Sequence, residues 1–486
     1  MRLIDLIGDD GVRVGAGDIE QEIAGLTADS RRVSPGFLFA ALSGSKADGA
    51  AFIADALAKG ASAILASPGV SLPEGAKAIL IQDENPRRRL ALLAARFHGR
   101  QPENIVAVTG TNGKTSTVSF VRHIWSKLGR QAASMGTLGV VAPNYVDPES
   151  LTTPDPVTLH ETLARLSDQG VSHLAMEASS HGLDQCRLDG VRISAAAFTN
   201  LTRDHLDYHG GMEAYFQAKA RLFTEVLTTG GTAVLNADSP EFERLAALAR
   251  AKGHHIIDFG RNASALTLGE VRLIEHGQIV DVAILGLRRT VKLPLAGDFQ
   301  VMNALAALGL AIASGEHPEK AMEALETLEG VPGRLQLAAT LASGASVYVD
   351  YAHTPDALEN VLSALRPHTA KRLIVVFGCG GDRDAGKRPQ MGALAARLAD
   401  HVIVTDDNPR SEEPALIRSQ ILAACPGAIE IGDRKAAIRK AVGELEAGDV
   451  LVLAGKGHER GQIVKGVVHP FDDAEQARLA VKEREA

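Results

Sequence analysis

Short apolar runs alternate along most of the chain with longer stretches in which apolar residues recur at helical spacing. In the first hundred residues this pattern predicts three strands and one helix, at 36–42, 62–67, 76–82 and 50–60. Strands that alternate with helices are typical of βαβ units. A further helical stretch ends at Gly99, before a turn that contains Pro102. The pattern therefore predicts a small α/β domain over residues 1–101.

The alternation continues through residues 102–334. Ile105–Val108 is an apolar strand that leads into a glycine-containing loop and then into a helical pattern through Leu128. Later apolar runs lie at 171–177, 193–200 and 232–236. They predict a largely parallel sheet, which closes after an Ala-rich helix from Asn303 and a loop at 330–334.

A third α/β pattern covers residues 335–486. Its apolar runs lie at 346–352, 372–378, 401–407, 428–433 and 450–457, with amphipathic helices between them. Several of these runs end in Asp, Gly or His, and the ligands of open α/β sheets bind beyond the carboxyl ends of the strands. We therefore expect a ligand-binding crevice at this edge.

Composition and charge are those of an ordinary globular protein. The 486 residues leave room for about three domains, and 45% are hydrophobic and 23% charged. The 51 Lys and Arg against 59 Asp and Glu give a net charge of −8, which argues against non-specific nucleic-acid binding. Any anionic ligand must therefore be bound by a few local groups.

Cysteine usage and the N-terminal segment predict the compartment. Cys186, Cys379 and Cys425 are odd in number and widely spaced, which excludes a disulfide framework or a thiolate zinc site. The first residues include Asp5 and lack the basic and apolar regions of a secretory signal. Because no apolar stretch is long enough to span a bilayer, we expect a cytoplasmic protein without membrane insertion.

The loop Gly110-Thr111-Asn112-Gly113-Lys114-Thr115 carries the first chemical signal. It ends like a Walker A loop but has two residues between its glycines, where the general P-loop has four. Its glycines let backbone N–H groups approach phosphate oxygens, Lys114 supplies a positive charge, and Thr115 can hold Mg²⁺. The alternative, an ordinary turn between a strand and a helix, is disfavoured by the position of the loop directly after an apolar strand.

Two later strands are followed by polar segments. Glu177 ends the apolar run 171–177, where a carboxylate could hold a metal. Taken alone, the segment is explained better as a plain capped turn. In residues 198–210, two acids and two histidines fall within the six residues 204–209. Metal or phosphate chemistry and a capped helix N-terminus explain this second segment about equally well.

Together, four segments resemble the Mur ligases, the ATP-dependent amide-bond-forming enzymes of peptidoglycan precursor synthesis. They are GTNGKT, EASSHGL, NLTRDHLDYHG followed by Ala218-Lys219, and DYAHTPDAL. The resemblance extends over the whole chain and implies an α/β fold with the three-domain Mur ligase architecture. It implies a UDP-sugar-binding domain at 1–101, a central ATP-binding domain with a P-loop-type parallel sheet at 102–334, and a Rossmann-like amino-acid-binding domain at 335–486.

The resemblance also implies a nucleotide and metal site. Residues matching those that bind the ATP phosphates are Gly110, Thr111, Asn112, Gly113, Lys114, Thr115 and Ser116. Further nucleotide-binding positions match Asn303, Arg334 and Asp350. Magnesium-site positions match Thr115, Glu177, His205 and Lys219, and catalytic positions match Lys114, Lys219 and His205.

Lys219 matches the lysine that members of the family carry as a carbamate. An unprotonated lysine amine can take up CO₂, which turns a cation into an anion able to bind or orient a second Mg²⁺. Without the family context, a lysine in this helical segment would be interpreted as a solvated surface residue.

The substrate positions follow in the same way. Ser30 matches a donor to the UDP diphosphate, although a serine there is also explained as a cap. Positions that bind UDP-N-acetylmuramoyl-L-alanyl-D-glutamate match Thr152, Thr153, Ser179, Gln185 and Arg187. Positions that bind the incoming amino acid match Arg383, Asp407, Asn408, Pro409, Arg410, Gly455 and Glu459.

The last of these sets favours diaminopimelate as the amino acid. Diaminopimelate has a second amino acid centre, whose carboxylate requires an arginine and whose ammonium requires acids. Arg410 with Arg383 can bind the carboxylate. Glu459 with Asp407 can bind the ammonium. Relatives that add lysine differ at the position of Arg410. The sequence Asp-Asn-Pro-Arg at 407–410 therefore favours meso-diaminopimelate, the stereoisomer being implied by the resemblance alone.

The resemblance implies a monomeric, cytoplasmic ligase that acts on small molecules and activates the D-glutamyl carboxylate as an acyl phosphate. Three alternatives stay open at this point: a lysine-adding ligase, a folylpolyglutamate synthetase, and a P-loop ATPase that moves a partner protein. The UDP-type N-terminal segment and the sequence at 407–410 count against the first two.

Overall fold

The computed structural model describes residues 1–9, 11–44, 48–147, 151–274 and 277–486. The chain forms two compact units. The first comprises Met1–Leu266 with Ala306–Ala321, and the second comprises Thr267–Leu305 with Met322–Ala486. No helix in the described ranges is both long and apolar enough to cross a membrane.

The first unit begins with a five-stranded sheet. Its strands are β1 (Arg13–Val14), β2 (Gly25–Thr27), β3 (Phe37–Ala40), β4 (Ala63–Ala66) and β5 (Ile79–Gln82), and its helices are α1 (Leu3–Ile7), α2 (Ile53–Ala58) and α3 (Pro86–His98). The order is β1-β5-β4-β3-β2, with β1 antiparallel at the edge and the other strands parallel. The three strands and the helix predicted here are confirmed. α3 begins where the Asn85 side chain accepts from Arg88 N–H and ends at Gly99.

A large, mostly parallel sheet follows in the same unit. Its strands are β6 (Asn104–Thr109), β7 (Ala132–Gly136), β8 (Gly139–Ala142), β9 (Tyr145–Asp147), β10 (His173–Glu177), β11 (Ile193–Phe198), β12 (Leu227–Asn236) and β13 (His255–Gly260). Its helices are α4 (Lys114–Lys127), α5 (Pro156–Asp168), α6 (Ser180–Asp184), α7 (Leu206–His209), α8 (Met212–Arg221) and α9 (Phe242–Ala251).

The strand order β13-β12-β11-β6-β10-β7-β8-β9 positions the site. β6 is parallel to both of its neighbours, β10 and β11, so the carboxyl ends of all three strands meet at one edge. The prediction of a largely parallel sheet is confirmed. Only β8 and β9, which extend β7 as antiparallel strands, depart from it in this part of the described chain.

The described part of residues 266–325 contains five further elements, of which only the Ala-rich helix was predicted from the sequence. They are β14 (Leu266–Ile274), β15 (Gly277–Ile284), β16 (Leu287–Leu293), α10 (Asp298–Ala313) and α11 (Pro318–Leu325). β15 and β16 form an antiparallel pair. Along β15 buried and half-buried positions alternate, so this strand has no continuous apolar run that would reveal it. The Ala-rich helix predicted from Asn303 begins earlier, at Asp298.

The second unit is built on a six-stranded sheet. Its elements are β17 (Gln336–Thr340), β18 (Ser346–Asp350), α12 (Pro355–Leu365), β19 (Leu373–Phe377), α13 (Lys387–Leu398), β20 (His401–Val404), α14 (Pro414–Leu422), β21 (Ile429–Glu430), α15 (Arg434–Gly443), β22 (Val450–Ala454) and α16 (Asp473–Glu485). A separate hairpin consists of β23 (Gly461–Val464) and β24 (Val467–Pro470). The sheet order is β17-β18-β22-β19-β20-β21.

This sheet is parallel except for β17. β18, β19 and β22 are buried along their whole length, as expected of parallel strands with helices on both faces. One core cluster packs α12, α13 and α14 on one face, and a second packs α15 and α16 on the other. All five strands predicted in this region are confirmed.

α15 and α16 are joined by an ion pair that is completely buried. The Arg434 guanidinium donates to Asp473 at 2.7 and 2.6 Å, and both side chains are 0% exposed. Arg434 also donates to the carbonyl oxygen of Ala454 at the end of β22. The same two helices carry a second pair, Arg439 with Glu483, whose side chains are about half exposed.

Asp473→Asn should therefore destabilise the second unit strongly, because it leaves the buried Arg434 charge uncompensated. We expect a loss of about 3–5 kcal/mol, measured by hydrogen exchange as the opening free energy of α15 and α16. Glu483→Gln is the matched control and should cost less than about 1 kcal/mol. Equal effects of the two substitutions would show that the buried Arg434–Asp473 pair is no more important for stability than the half-exposed Arg439–Glu483 pair.

Candidate active site

The glycine loop after β6 lies close to the end of β11. Gly110 has φ +146° and Gly113 has φ +88°, at the N-cap of α4. A Cβ at Gly110 would collide with Thr199 Oγ1, so this approach requires glycine. The loop therefore leads directly into the N-terminus of a 14-residue helix. This arrangement favours a bound phosphate.

Residues beyond β11 stabilise the loop. Thr199 Oγ1 donates to Asn112 O at 2.6 Å, and Asn112 N donates to the Asn200 side chain at 2.9 Å. Thr111 Oγ1 accepts from Thr202 N at 2.9 Å and lies 3.2 Å from the Tyr215 hydroxyl. No role was predicted from the sequence for Thr199, Asn200 or Tyr215. The loop that follows β11 holds the glycine loop in position.

Two lysines converge on the loop. Lys114 Nζ donates to the carbonyl oxygens of Gly110 and Thr111 at 2.9 and 2.8 Å. Lys219 Nζ donates to the same Gly110 oxygen at 2.7 Å. Thr115 and Ser116, in the first turn of α4, are both buried. The predicted phosphate-binding residues therefore form one compact group, on which two lysine amines converge.

Lys219 is buried and is not a solvated surface residue. Its side chain is 1% exposed, and Nζ lies 4.4 Å from the centre of the Tyr215 ring. Burial, and then the nearby Lys114 charge, hold the pKa of Lys219 well below its usual value. The environment favours the uncharged amine.

Glu177 ends β10 on the other side of β6. It is buried, and its two carboxylate oxygens accept from Thr137 N at 2.8 Å and from Thr137 Oγ1 at 3.2 Å. A Cβ at Gly136 would collide with the Glu177 side chain, so β7 approaches this carboxylate closely. Thr152 Oγ1 lies 3.2 Å from Thr137 Oγ1. Thr137 is a contact that sequence reasoning missed.

The predicted substrate residues adjoin Glu177 in one hydrogen-bonded network. Thr153 Oγ1 donates to Glu177 O at 3.0 Å and accepts from Ser179 N at 3.1 Å. Arg187 donates to Thr153 O at 2.7 Å and to Gln185 Oε1 at 2.8 Å. The structure thus brings together Thr153, Ser179, Gln185 and Arg187, which the sequence separates by up to 34 positions.

His205 belongs to a cluster of aromatic rings. It adopts φ +51° at the start of α7, and its Nε2 lies 3.3 Å from Asp204 Oδ2. The His205 and His181 rings meet edge to face at 4.9 Å, and the His181 ring lies 4.1 Å from that of Tyr208. Tyr208 in turn accepts from Gln185 at 3.0 Å. His205 is thereby connected to the substrate network.

The donor atoms of this site fit magnesium. Thr115 and Glu177 offer the hard oxygen ligands that Mg²⁺ prefers. Among the described residues, no group of three or more His, Cys, Asp or Glu side chains could hold a metal without other ligands. Mg²⁺ is commonly bound by one or two carboxylates together with phosphate oxygens and water, so these residues fit an ion that binds with a nucleotide.

Ser30 opens a short 3₁₀ turn, Ser30–Arg32, in the N-terminal sheet. The Asp29 side chain caps the turn by accepting from Arg31 N, and Lys59 Nζ donates to Ser30 O at 2.8 Å. The Arg31 guanidinium lowers the pKa of Asp29 to about 2. In the part of the chain that the structure describes, no hydrogen bond joins Ser30 to the other predicted site residues.

In the second unit, the three remaining nucleotide-site residues lie close together. Asn303 Nδ2 donates to Gln300 Oε1 at 3.0 Å, and Gln300 donates to Arg334 O at 3.2 Å. Asp350 accepts from Leu335 N at 2.6 Å and also from Ala352 N. Asp350 therefore holds the residue that follows Arg334.

At the carboxyl edge of the second unit's sheet, charged side chains surround the predicted amino-acid site. Asn408 Nδ2 donates to Glu459 Oε2 at 2.8 Å. Asp407 is buried, and its Oδ2 has no hydrogen-bond partner among the described residues. A Cβ at Gly455 would come within 2.5 Å of that oxygen. Two acids and one amide therefore face this edge.

The two predicted arginines flank the same backbone position. A Cβ at Gly380 would come within 2.7 Å of Arg410 Nη1 and 3.8 Å of Arg383 Cγ. Arg410 adopts φ +51° and donates to Gly381 O at 2.9 Å. Pro409 is buried, whereas Arg383 is exposed. The edge thus carries both positive and negative groups, which is what an amino acid ligand requires.

Three families of known domains match successive parts of the chain. The Mur ligase family catalytic domain matches residues 22–98, the Mur ligase middle domain matches 108–311, and the Mur ligase glutamate ligase domain matches 333–457.

Curated relatives match over almost the full length. The chain is 55% identical over 485 residues to the UDP-N-acetylmuramoyl-L-alanyl-D-glutamate–2,6-diaminopimelate ligase of Rhizobium meliloti, with 99% of each chain covered. It is 58% identical over 466 residues to the ligase of the same name from Caulobacter vibrioides, with 95% of this chain and 96% of the relative covered.

Solved structures show the same fold. A structure of UDP-N-acetylmuramoyl-L-alanyl-D-glutamate–2,6-diaminopimelate ligase is 34% identical, has a TM-score of 0.75, and covers 100% of this chain and 99% of its own. A folylpolyglutamate synthase of Mycobacterium tuberculosis, 17% identical with a TM-score of 0.61 over 76% of this chain and 91% of its own, shares the fold alone.

Asp350 should make the second unit less stable as pH rises. Burial raises the pKa of Asp350 from 3.8 to about 6, against the opposing effect of the Arg334 charge. Between these values the folded chain holds a proton that the unfolded chain has lost, so this group contributes stability at low pH and loses it as pH rises through 6. The loss is up to about 3 kcal/mol between pH 4 and 7.

Asp350→Asn removes this titration. The opening free energy of β18, measured by hydrogen exchange and corrected for intrinsic rates, should therefore fall with pH more steeply in the native chain than in the variant. A difference between the two proteins that stays constant with pH would show that Asp350 has an ordinary pKa.

Proposed function

This chain belongs to the Mur ligase family, and we propose that it adds meso-diaminopimelate to the D-glutamyl carboxylate of UDP-N-acetylmuramoyl-L-alanyl-D-glutamate at the expense of ATP. The observation that carries this proposal is the edge of the second unit's sheet, where Arg383 and Arg410 lie beside Asp407 and Glu459. A second amino acid centre needs both signs of charge. The names of relatives that are more than half identical support the same substrate.

The chemistry requires activation of a carboxylate. An oxygen of the D-glutamyl carboxylate attacks the γ-phosphorus of ATP, which gives an acyl phosphate and ADP. The amine of diaminopimelate then attacks the acyl carbon, and the tetrahedral intermediate expels phosphate and loses a proton to give the amide. No side-chain nucleophile is needed, so the protein contributes mainly positioning and charge neutralisation.

The glycine loop would bind the ATP phosphates. Backbone N–H groups of Gly110 and Gly113 and the N-terminus of α4 would supply donors, since those of Thr111 and Asn112 already donate to Asn200. Lys114 would exchange the carbonyl oxygens of Gly110 and Thr111 for phosphate oxygens. We assign Asn303, Arg334 and Asp350 to the rest of the nucleotide, with Asp350 also holding the backbone at Leu335.

Thr115, Glu177, His205 and a carbamate on Lys219 would hold magnesium, which neutralises charge on the reacting phosphate when it is bound. Burial of Lys219 next to Lys114 favours the uncharged amine that takes up CO₂. Carbamate formation also removes the repulsion between two neighbouring cations. The local electrostatics around Lys219 therefore support the carbamate.

The network around Thr153 would bind the acceptor substrate. Arg187 is fixed by Thr153 O and Gln185, so its fork can pair with a carboxylate or phosphate without further ordering. Ser30 is assigned to the UDP diphosphate, and Thr152 and Ser179 to the peptide part. We further propose that residues 1–101, 102–334 and 335–486 are the functional domains, which the limits of the three matched families support.

We propose a monomeric, cytoplasmic enzyme. The three cysteines are free and buried, which suits a reducing compartment. Sedimentation of the purified chain would test the monomer.

The substrate assignment predicts a clear preference between two amino acids. Incubated with ATP, Mg²⁺ and the muramoyl dipeptide, the protein should form an amide with diaminopimelate at least tenfold more efficiently than with L-lysine. Phosphate release and product mass are the measurements. Equal or faster ligation of lysine would contradict the specificity, and ATP hydrolysis without any amide product would favour the P-loop ATPase alternative.

The carbamate predicts that Lys219→Ala is nearly inactive, with a loss of at least 100-fold. Short-chain carboxylates should restore part of the activity, because they replace the missing anion. The native protein in ¹³C-bicarbonate should show a carbamate carbon signal that the variant lacks. Lys252→Ala, at an exposed lysine, is the control and should change neither readout. Full activity of Lys219→Ala in bicarbonate-depleted buffer would contradict the carbamate.

A further inference from the structure

The loop that carries Asp407–Arg410 is hydrogen-bonded along its length to the segment 456–465. Arg410 N donates to Ile463 O at 3.0 Å, and Lys465 N donates to Arg410 O at 2.6 Å. These two bonds hold Arg410 in its left-handed backbone conformation, φ +51°, which costs free energy for a residue other than glycine. The direction of the Arg410 side chain therefore depends on β23.

The side chain of Gln462 supports the start of the same loop. Its Nε2 donates to Asp407 O at 2.8 Å. Ile463 N donates to Asn408 Oδ1 at 2.9 Å. β23 thus contacts three of the four residues at 407–410, and each contact involves a backbone group.

Asn408 connects β23 to a buried lysine. Its Oδ1 accepts from Lys456 Nζ at 3.0 Å as well as from Ile463 N. Its Nδ2 donates to Glu459 Oε2, which also accepts from Lys456 at 3.1 Å. Because both lone pairs of Oδ1 are used within the protein, Asn408 holds neighbouring groups in place more than it contacts a ligand.

One carboxylate oxygen of Glu459, Oε1, is left for a ligand. Both bonds to the carboxylate fall on Oε2, and Oε1 has no hydrogen-bond partner in the described ranges. The Glu459 side chain is 31% exposed, whereas Lys456 is 0% exposed. The buried Lys456 therefore binds Oε2 of the Glu459 carboxylate and leaves Oε1 available to a ligand.

The charges at this edge support the same arrangement. Among Asp407, Glu459 and Lys456, the lysine offsets one of the two acids because it donates to Glu459, which leaves one negative charge within this set of three residues. A single ammonium neutralises that charge. Without Lys456, the Glu459 carboxylate would lose the ammonium that donates to it, which is unfavourable for a charge on a side chain that is only 31% exposed.

We propose that Lys456 and Gln462 are positioning residues for the second amino acid centre of the incoming substrate. Lys456 orients Glu459 both directly and through Asn408, and Gln462 together with β23 fixes the backbone of 407–410 and hence Arg410. This inference rests on the proposed function. It extends that function to residues that do not themselves touch the substrate.

The test compares two variants of the full-length protein with matched controls. Lys456→Met removes the buried charge. Gln462→Leu removes the hydrogen bonds from Gln462 Nε2 to the carbonyl oxygens of Asp406 and Asp407, at a half-buried position. Arg372→Met breaks the Arg372–Asp449 ion pair at the opposite end of the same sheet. Val467→Ser changes an exposed side chain of the same hairpin. KM and kcat are measured for each substrate, with diaminopimelate and with L-lysine.

We expect KM for diaminopimelate to rise about 10- to 100-fold in Lys456→Met and about fivefold in Gln462→Leu, as befits a charged and a neutral hydrogen bond. KM for ATP and for the muramoyl dipeptide should stay within twofold. In Gln462→Leu the preference for diaminopimelate over L-lysine should fall at least fivefold, because Arg410 binds the carboxylate that lysine lacks. The two controls should change none of these values.

Other results overturn the inference. A KM for diaminopimelate within twofold of the native value in a folded Lys456→Met variant would do so. So would a uniform loss of activity with every KM unchanged, which indicates a structural role alone. If Lys456→Met does not fold, an unchanged KM and preference in Gln462→Leu are decisive against it. Failure of the native protein to ligate diaminopimelate would instead overturn the proposed function, and this inference with it.

Discussion

The close approach of the glycine loop to the carboxyl end of β11 is the contact on which the candidate site depends. β6 is parallel to β10 and β11 and lies between them, so the residues that follow all three strands meet. Gly110 can approach Thr199 only because it has no Cβ. Through this contact, Thr199 and Asn200 shape the loop, and α8 brings Lys219 to the Gly110 carbonyl.

The site binds anions by placing a few charges and not by the overall field of the protein. The chain carries a net charge of −8, whereas Lys114 and Lys219 both donate to one carbonyl oxygen. A protonated Lys219 would be repelled by Lys114 at such short range in a poorly solvated place, and its pKa is lowered accordingly. A phosphate, or the conversion of one lysine to an anion, relieves this repulsion. The second unit also relies on a few placed charges, since the buried Lys456 offsets one of the two acids, Asp407 and Glu459.

Much of the architecture could be predicted from local pattern. The buried parallel strands were recognisable as apolar runs, and the strand, loop and helix around residue 110 were correct because each depends on neighbours in sequence. β15 was missed since its buried positions alternate with half-buried ones. The Ala-rich pattern indicated α10 only from Asn303, although Asp298 at its start is a residue type typical of a first helical turn. The roles given to most site residues came from family resemblance, not from spacing.

The order of the residues was therefore enough to predict three successive α/β segments and the chemistry of a phosphate loop. It could not show that Lys219 is buried, since the Gly110 carbonyl oxygen that its amine contacts lies 109 positions away and reaches it only through folding. Nor could it link Thr153 to Arg187, or Asn408 to Lys456. Those contacts join residues up to about fifty positions apart, and parallel strands bring their ends together only once the helices between them have packed on the sheet.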